Sequence, residues 1–246
     1  MRLDDETYEF IKGEVAHYLV QCGVSYPLDV NEFARRMGVK VVPYSSLGCD
    51  AYISAMRASQ DGFLCEKNYA CAYVYFNDES MCERQDMSVL HEIGHVALDH
   101  NTSPNISDEE KEAEAKFFAK YAKAPMPLIH LLPIKTVETI QKTFGLSFEA
   151  ARYALDNYQK WLERFKGTYT DYEQKILRLK RDRLNAYIEE LKNQKERQSV
   201  RYQQAEWQNH NPGLASKSRG QAVSLQDCNR TTVQGNLYEV RQMAGP

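Results

Sequence analysis

The chain has 246 residues, 43% of them hydrophobic and 26% charged, with a formal net charge of -3. Those values suit a soluble globular protein with one hydrophobic core, or one core and an appendage, and they point neither to nucleic acid nor to an anionic membrane. No apolar run approaches the roughly 20 residues that span a bilayer, and the acidic start MRLDDETYEF has no secretory pattern, so a cytoplasmic location is expected.

The first 36 residues read as two helices. Apolar residues recur at helical spacing through Tyr8, Ile11, Val15 and Tyr18, and again through Val30, Phe33 and Met37. Cys22-Gly23 and Pro27 break the two apart, and Gly38 ends the second. The texture then turns β-rich. Val39–Tyr44, Ala51–Met56, Gly62–Cys65 and Cys71–Phe76 read as short strands between turn-prone residues, enough for a small antiparallel or mixed sheet that needs a helix on one face. A helix from about Cys82 to Leu98 supplies that cover, with Val89, Leu90, Ile93, Val96 and Ala97 at helical intervals.

NTSPNIS, residues 101–107, is a loop by composition. Ser107 followed by Glu110 is a capping-box pattern, which predicts a new helix running to about Ala124 and stopped by Pro125 and Pro127. Thr136 to about Phe165 reads as helix, a turn at Gly145, then a second helix with Ser147 as its N-cap. From Tyr172 to about Glu206 the chain is charged, with a thin apolar stripe through Ile176, Leu179, Leu184, Tyr187, Ile188 and Leu191. That pattern predicts one long exposed helix or a short coiled coil. The polar residues 207–246 are expected to be disordered. Six cysteines (Cys22, Cys49, Cys65, Cys71, Cys82 and Cys228) form no C-x-x-C pair and are expected as free thiols.

The residues that carry chemistry are His91-Glu92-Ile93-Gly94-His95. Side chains four apart on a helix share a face, so His91 and His95 can meet one ion without bending the backbone. Glu92, about 100° further round, would sit beside the ion and off its ligand axis, placed to take a proton from a water that the ion polarises. It could then deliver that proton to a leaving amine. The alternative, two histidines making ordinary hydrogen bonds, is disfavoured by their position flanking buried apolar residues, where unpartnered imidazoles would be costly.

A catalytic zinc needs a third protein ligand. His100 lies about 140° round from His95 and faces away unless the helix has already ended. The extended metzincin motif is excluded, because Leu98 and Asn101 stand where it needs Gly and His. Among the acids of SDEEKEAEAKFFAKYA, Glu110 is taken by the capping box, and Glu109 and Glu112 fall on the side of Lys116. Glu114 has Phe117, Phe118 and Tyr121 as helical neighbours, so burial favours it over the rest.

From about Val24 to Leu155 the chain resembles the ImmA/IrrE metallopeptidases. The likeness rests on PLDVNEFARRMGVKVV, on a strand ending in Phe76-Asn77, on HEIGHVALDH, and on EAEAKFFA followed by a proline. It carries the family's third metal ligand to Glu114, with Phe118, Ala119 and Pro125 in register; Lys116 departs from the usual Asn or Asp. The implied fold class is α+β: a zincin-like core with a small β-sheet against the HExxH helix, then a mostly helical C-terminal part. The expected organisation is a metallopeptidase domain over 1–130, a helix-turn-helix-like extension over 131–170, a charged helix over 171–206 and a tail over 207–246.

The resemblance also implies the task. Family members look like site-specific, zinc-dependent endopeptidases that cut helix-turn-helix repressors of phages and mobile elements. The expected site is therefore Glu92 as the catalytic residue with His91, His95 and Glu114 on one zinc ion; manganese, iron and cobalt stay open. The expected partner is a repressor protein, with a homodimer through the C-terminal helix as a further option and no nucleic acid or membrane. Direct DNA binding by the Thr136–Leu155 pair is disfavoured, since FEAARYALDNY carries only Arg152 against Glu149 and Asp156. The competing reading is a metal-binding regulatory module that captures a repressor without cutting it.

Overall fold

A computed structural model of the chain describes residues 3–210 apart from 68–70, 104 and 181. The chain divides into two compact units, residues 1–193 and 194–246. The expected disordered tail therefore falls mostly outside the described residues, except that 207–210 close the last helix.

The first unit opens with α1 (Asp5–Gln21) and α2 (Val30–Arg36), both started by aspartate caps. Asp4 accepts from the Thr7 amide at 2.7 Å and Asp29 from the Glu32 amide at 3.0 Å. Gly23 and Gly38, at φ 58° and 78°, reverse the chain after each helix, a backbone region that glycine enters without a Cβ penalty. Three strands follow: β1 (Lys40–Pro43), β2 (Gly62–Lys67) and β3 (Cys71–Phe76). Their order is β1-β3-β2, with β3 parallel to β1 and antiparallel to β2, so β2 is an edge strand.

The segment expected as a strand at Ala51–Met56 is instead α3 (Cys49–Ala58). Its apolar residues fit either period over so short a run. What decides is the helix-forming set Ala51, Ala55, Met56, Arg57 and Ala58 behind Gly48, with only Ala55 buried and Ile53 left 47% exposed.

Next come α4 (Cys82–Ala97) and α5 (Asp108–Lys123). α4 buries Val89, Leu90, Ile93, Gly94 and Ala97 along one stripe and packs on β2, β3 and α5. Full burial of Leu90 and Ile93 contributes about 1.5–3 kcal/mol each. The predicted capping box forms: the Ser107 hydroxyl accepts from the Glu110 amide, and the Glu110 carboxylate accepts from the Ser107 amide.

α6 (Met126–Leu131), α7 (Val137–Phe144) and α8 (Phe148–Arg164) follow, with Gly145 at φ 62° between the last two and Ser147 capping α8. The single long helix expected from Tyr172 is two, α9 (Asp171–Leu177) and α10 (Asp182–His210). The interruption lets Leu179 accept from the Tyr26 amide at 3.0 Å, a tertiary pairing that a continuous helix would forbid. Its apolar stripe is not exposed: Ile176, Leu184, Ile188 and Leu191 are buried within this chain.

Candidate metal centre

α4 and α5 pack tightly against each other at Gly94. A Cβ there would lie 3.1 Å from the Ala115 Cα and 3.2 Å from its carbonyl oxygen, so a side chain would push the helices apart by a few tenths of an ångström. His91 precedes Gly94 by three residues and Glu112 precedes Ala115 by three, so each shares a face with its contact residue. The crossing brings Glu112 to the imidazole pair. His91 Nε2 and His95 Nε2 are 3.2 Å apart, Glu112 Oε2 lies 3.4 Å from the first and Oε1 3.3 Å from the second.

These separations test whether an ion fits. Zinc bonds of about 2.0–2.1 Å in tetrahedral directions set ligand atoms about 3.3–3.4 Å apart. The His91–His95 separation agrees with that edge length, each imidazole has one Glu112 oxygen at a similar distance, and one ligand atom from each of the three residues lies within 4.8 Å of the others; the donor set is one that borderline-soft zinc takes readily. Among the described residues this trio is the group of histidine and acid side chains gathered closely enough to hold a metal.

Glu114 is not part of it. Its Oε2 lies 2.9 Å from His100 Nε2, and His100 Nδ1 lies 2.9 Å from His95 Nδ1, on the side of that ring away from Glu112. A carboxylate on the inner face of α5 needs compensation, and Glu114's side chain is only 15% exposed. The compensating group is the His100 imidazole rather than an ion. Glu112, set aside because of Lys116, does pair with that lysine at 3.5 Å, yet its half-exposed carboxylate still reaches both histidines.

His100 is where the sequence left a condition open, and the condition is met. α4 ends at Ala97. The Asp99 amide bonds the Val96 carbonyl and the His100 amide the His95 carbonyl, a Schellman closure with Asp99 in the left-handed region at φ 51°. The reversal folds His100 back beneath His95, where it is 2% exposed. Aspartate tolerates that backbone region better than most residues, so the LDH segment after the helix is the signal that could have placed it.

Electrostatics prepare the two ligand rings. Burial lowers the His91 pKa against the opposing pull of Glu112. Burial, then the neighbouring His91 and His100 rings, push His95 down to about 4. Both are therefore neutral near pH 7, the form that binds metal. Burial would raise Glu112, but the two imidazoles and Lys116 carry it below the usual glutamate value. Glu92 goes the other way. Burial, with the Glu112 charge adding to it, raises it from 4.5 to about 7, against a hydrogen bond from the Leu64 backbone on β2.

A small mixed sheet under a helix that presents two metal-ready imidazoles, with a carboxylate from the next helix, defines a zincin-like metallopeptidase domain. Residues 45–156 match the family model of peptidase M78, the IrrE N-terminal-like domain. That match places this segment, which holds every residue of the site, in the ImmA/IrrE metallopeptidase family. No match to a curated protein was found. Among the described residues no helix is long and apolar enough to cross a membrane.

Proposed function

We propose that this chain is a zinc-dependent, site-specific endopeptidase in which His91, His95 and Glu112 hold the ion and Glu92 is the catalytic acid–base. The observation that carries the reading is the convergence of two imidazole nitrogens 3.2 Å apart with a carboxylate that sets one oxygen 3.3–3.4 Å from each of them. An ion held there would supply Lewis acidity, generating a nucleophile from water at neutral pH and polarising the scissile carbonyl. The chain's own residues do the rest. Glu92, buried beside the trio, can accept a proton from water and return it to the leaving amine. Its bond to Leu64 ties the carboxylate to β2, whose outer edge has no strand partner among the described residues. An extended substrate segment adding to that edge would run past Glu92.

The proposed substrate is a helix-turn-helix transcriptional repressor of a phage or mobile element, the class that the family resemblance implies. The test is co-expression with a repressor encoded beside this chain, alongside metal analysis of the purified protein. Wild type should carry one zinc per chain and cut the repressor into two defined fragments. Glu92→Gln should keep the ion and lose about 10²–10⁴-fold in cleavage rate. Glu112→Ala should lose the ion, whereas Glu114→Gln should keep it. Full cleavage by Glu92→Gln refutes the mechanism, and a repressor that co-purifies intact with wild type favours the capture module instead.

A further inference from the structure

The metal trio and Glu92 leave two buried polar groups without a task. His100 is 2% exposed and Glu114's side chain 15%, and neither belongs to the trio. Burying such a pair contributes little net stability, since apolar residues of similar volume would serve the fold as well or better. What the pair does have is a direction. Each contact in the chain Glu114 Oε2, His100 Nε2, His100 Nδ1, His95 Nδ1 is 2.9 Å long, and each hydrogen bond needs one donor and one acceptor. A carboxylate only accepts, so the proton between Glu114 and His100 sits on His100 Nε2. With that nitrogen protonated, a neutral His100 has a bare Nδ1, which accepts from Nδ1–H of His95. The remaining nitrogen of His95, Nε2, then turns its lone pair toward the space it shares with His91 Nε2 and the Glu112 carboxylate, an arrangement of acceptors that a cation between them would satisfy.

We infer that Glu114 and His100 are positioning residues, a carboxylate–imidazole relay that holds His95 in the tautomer and ring orientation required of a metal ligand. The inference rests on the metallopeptidase reading and deepens it. Metal-binding histidines commonly donate their second N–H directly to a carboxylate or a carbonyl. Here a second imidazole is interposed, because the Schellman turn at Asp99 fills the space behind His95 and Glu114 is reached only through it. The arrangement divides the acids of α5 by role: Glu112 faces the ion and Glu114 supports the ring across from it.

The relay is tested on full-length, metal-free protein labelled with ¹⁵N-histidine. Long-range proton–nitrogen correlation should report Nδ1–H with a bare Nε2 for His95, and Nε2–H for His100. Zinc affinity is then measured by chelator competition, with circular dichroism confirming the fold of each variant. His100→Leu should bind zinc about 10–100-fold more weakly. His100→Gln, whose amide can accept from His95 and donate to Glu114, should stay within a few-fold of wild type. Glu114→Ala should weaken zinc binding and release the His95 tautomer, and it carries the test if His100→Leu does not fold. The cobalt-substituted protein should show altered visible bands in the Leu and Ala variants only. Nε2–H on His95, or wild-type zinc affinity in both of those variants, overturns the relay while leaving the metal site standing. A wild-type protein that takes up no ion overturns the metallopeptidase reading, and the relay with it.

Discussion

Glu92 should weaken the metal-free protein increasingly as pH rises from about 4.5 to about 7, and Glu92→Gln should relieve it. Burial, with Glu112 adding to it, raises this carboxyl from 4.5 to about 7. A group whose pKa is higher in the folded state holds its proton more tightly there, so stability falls as pH climbs between the two values. Below pH 4.5 both states are protonated and nothing is lost; above 7 both are ionised and the penalty is constant. Each unit of difference is worth about 1.4 kcal/mol. Linkage then gives a penalty of about 1 kcal/mol at pH 5, rising to about 3 kcal/mol at pH 8. The neutral amide removes it. Urea unfolding of wild type and Glu92→Gln in excess chelator, at pH 5 and pH 8, should therefore show the variant more stable at both. Its advantage should widen by about 2 kcal/mol at the higher pH. His91 and His95 titrate in both proteins and cancel in the difference. An advantage that is absent at pH 8, or unchanged between the two conditions, would show that Glu92 is not held in the desolvated environment on which the acid–base assignment depends.

Two further perturbations test the frame around the site. Gly94→Ala should destabilise by about 1–3 kcal/mol and weaken zinc uptake, because its Cβ would press on the Ala115 backbone and on Phe118 Cβ at 3.3 Å, prising away the helix that bears Glu112. Gly13→Ala, inside α1 with nothing within 4 Å, is the control and should gain about 0.5–1 kcal/mol; thermal melts of both decide it. Lys123 is 3% exposed and its ammonium lies 2.5 Å from Asp86 Oδ2. Asp86→Asn leaves that buried charge without its counter-ion and should cost about 3 kcal/mol in urea unfolding. Lys123→Met should cost less, since the Asp86 side chain is 35% exposed and can be rehydrated.

What could be read from the chain is what local chemistry decides. The caps at Ser107 and Ser147, and the glycines that end α2 and α7, act within a few residues of themselves. The HExxH face is likewise a property of one helix. α3 is a helix by the propensity of its own residues, over a run too short for apolar spacing to decide. The break between α9 and α10 is decided elsewhere in the fold, by Tyr26, which lies far away in sequence. The third ligand is the most instructive case. The choice between Glu112 and Glu114 is made where Gly94 meets Ala115, and the small side chains at those two positions were the available sign of a close crossing. Burial alone favours Glu114, whereas the structure sets Glu112 beside both imidazoles and Glu114 against His100. Glu112, with its side chain 49% exposed, stays open to solvent while it faces both imidazoles. A carboxylate enclosed behind the ligands, with an imidazole already against it, can act on the ion only through them.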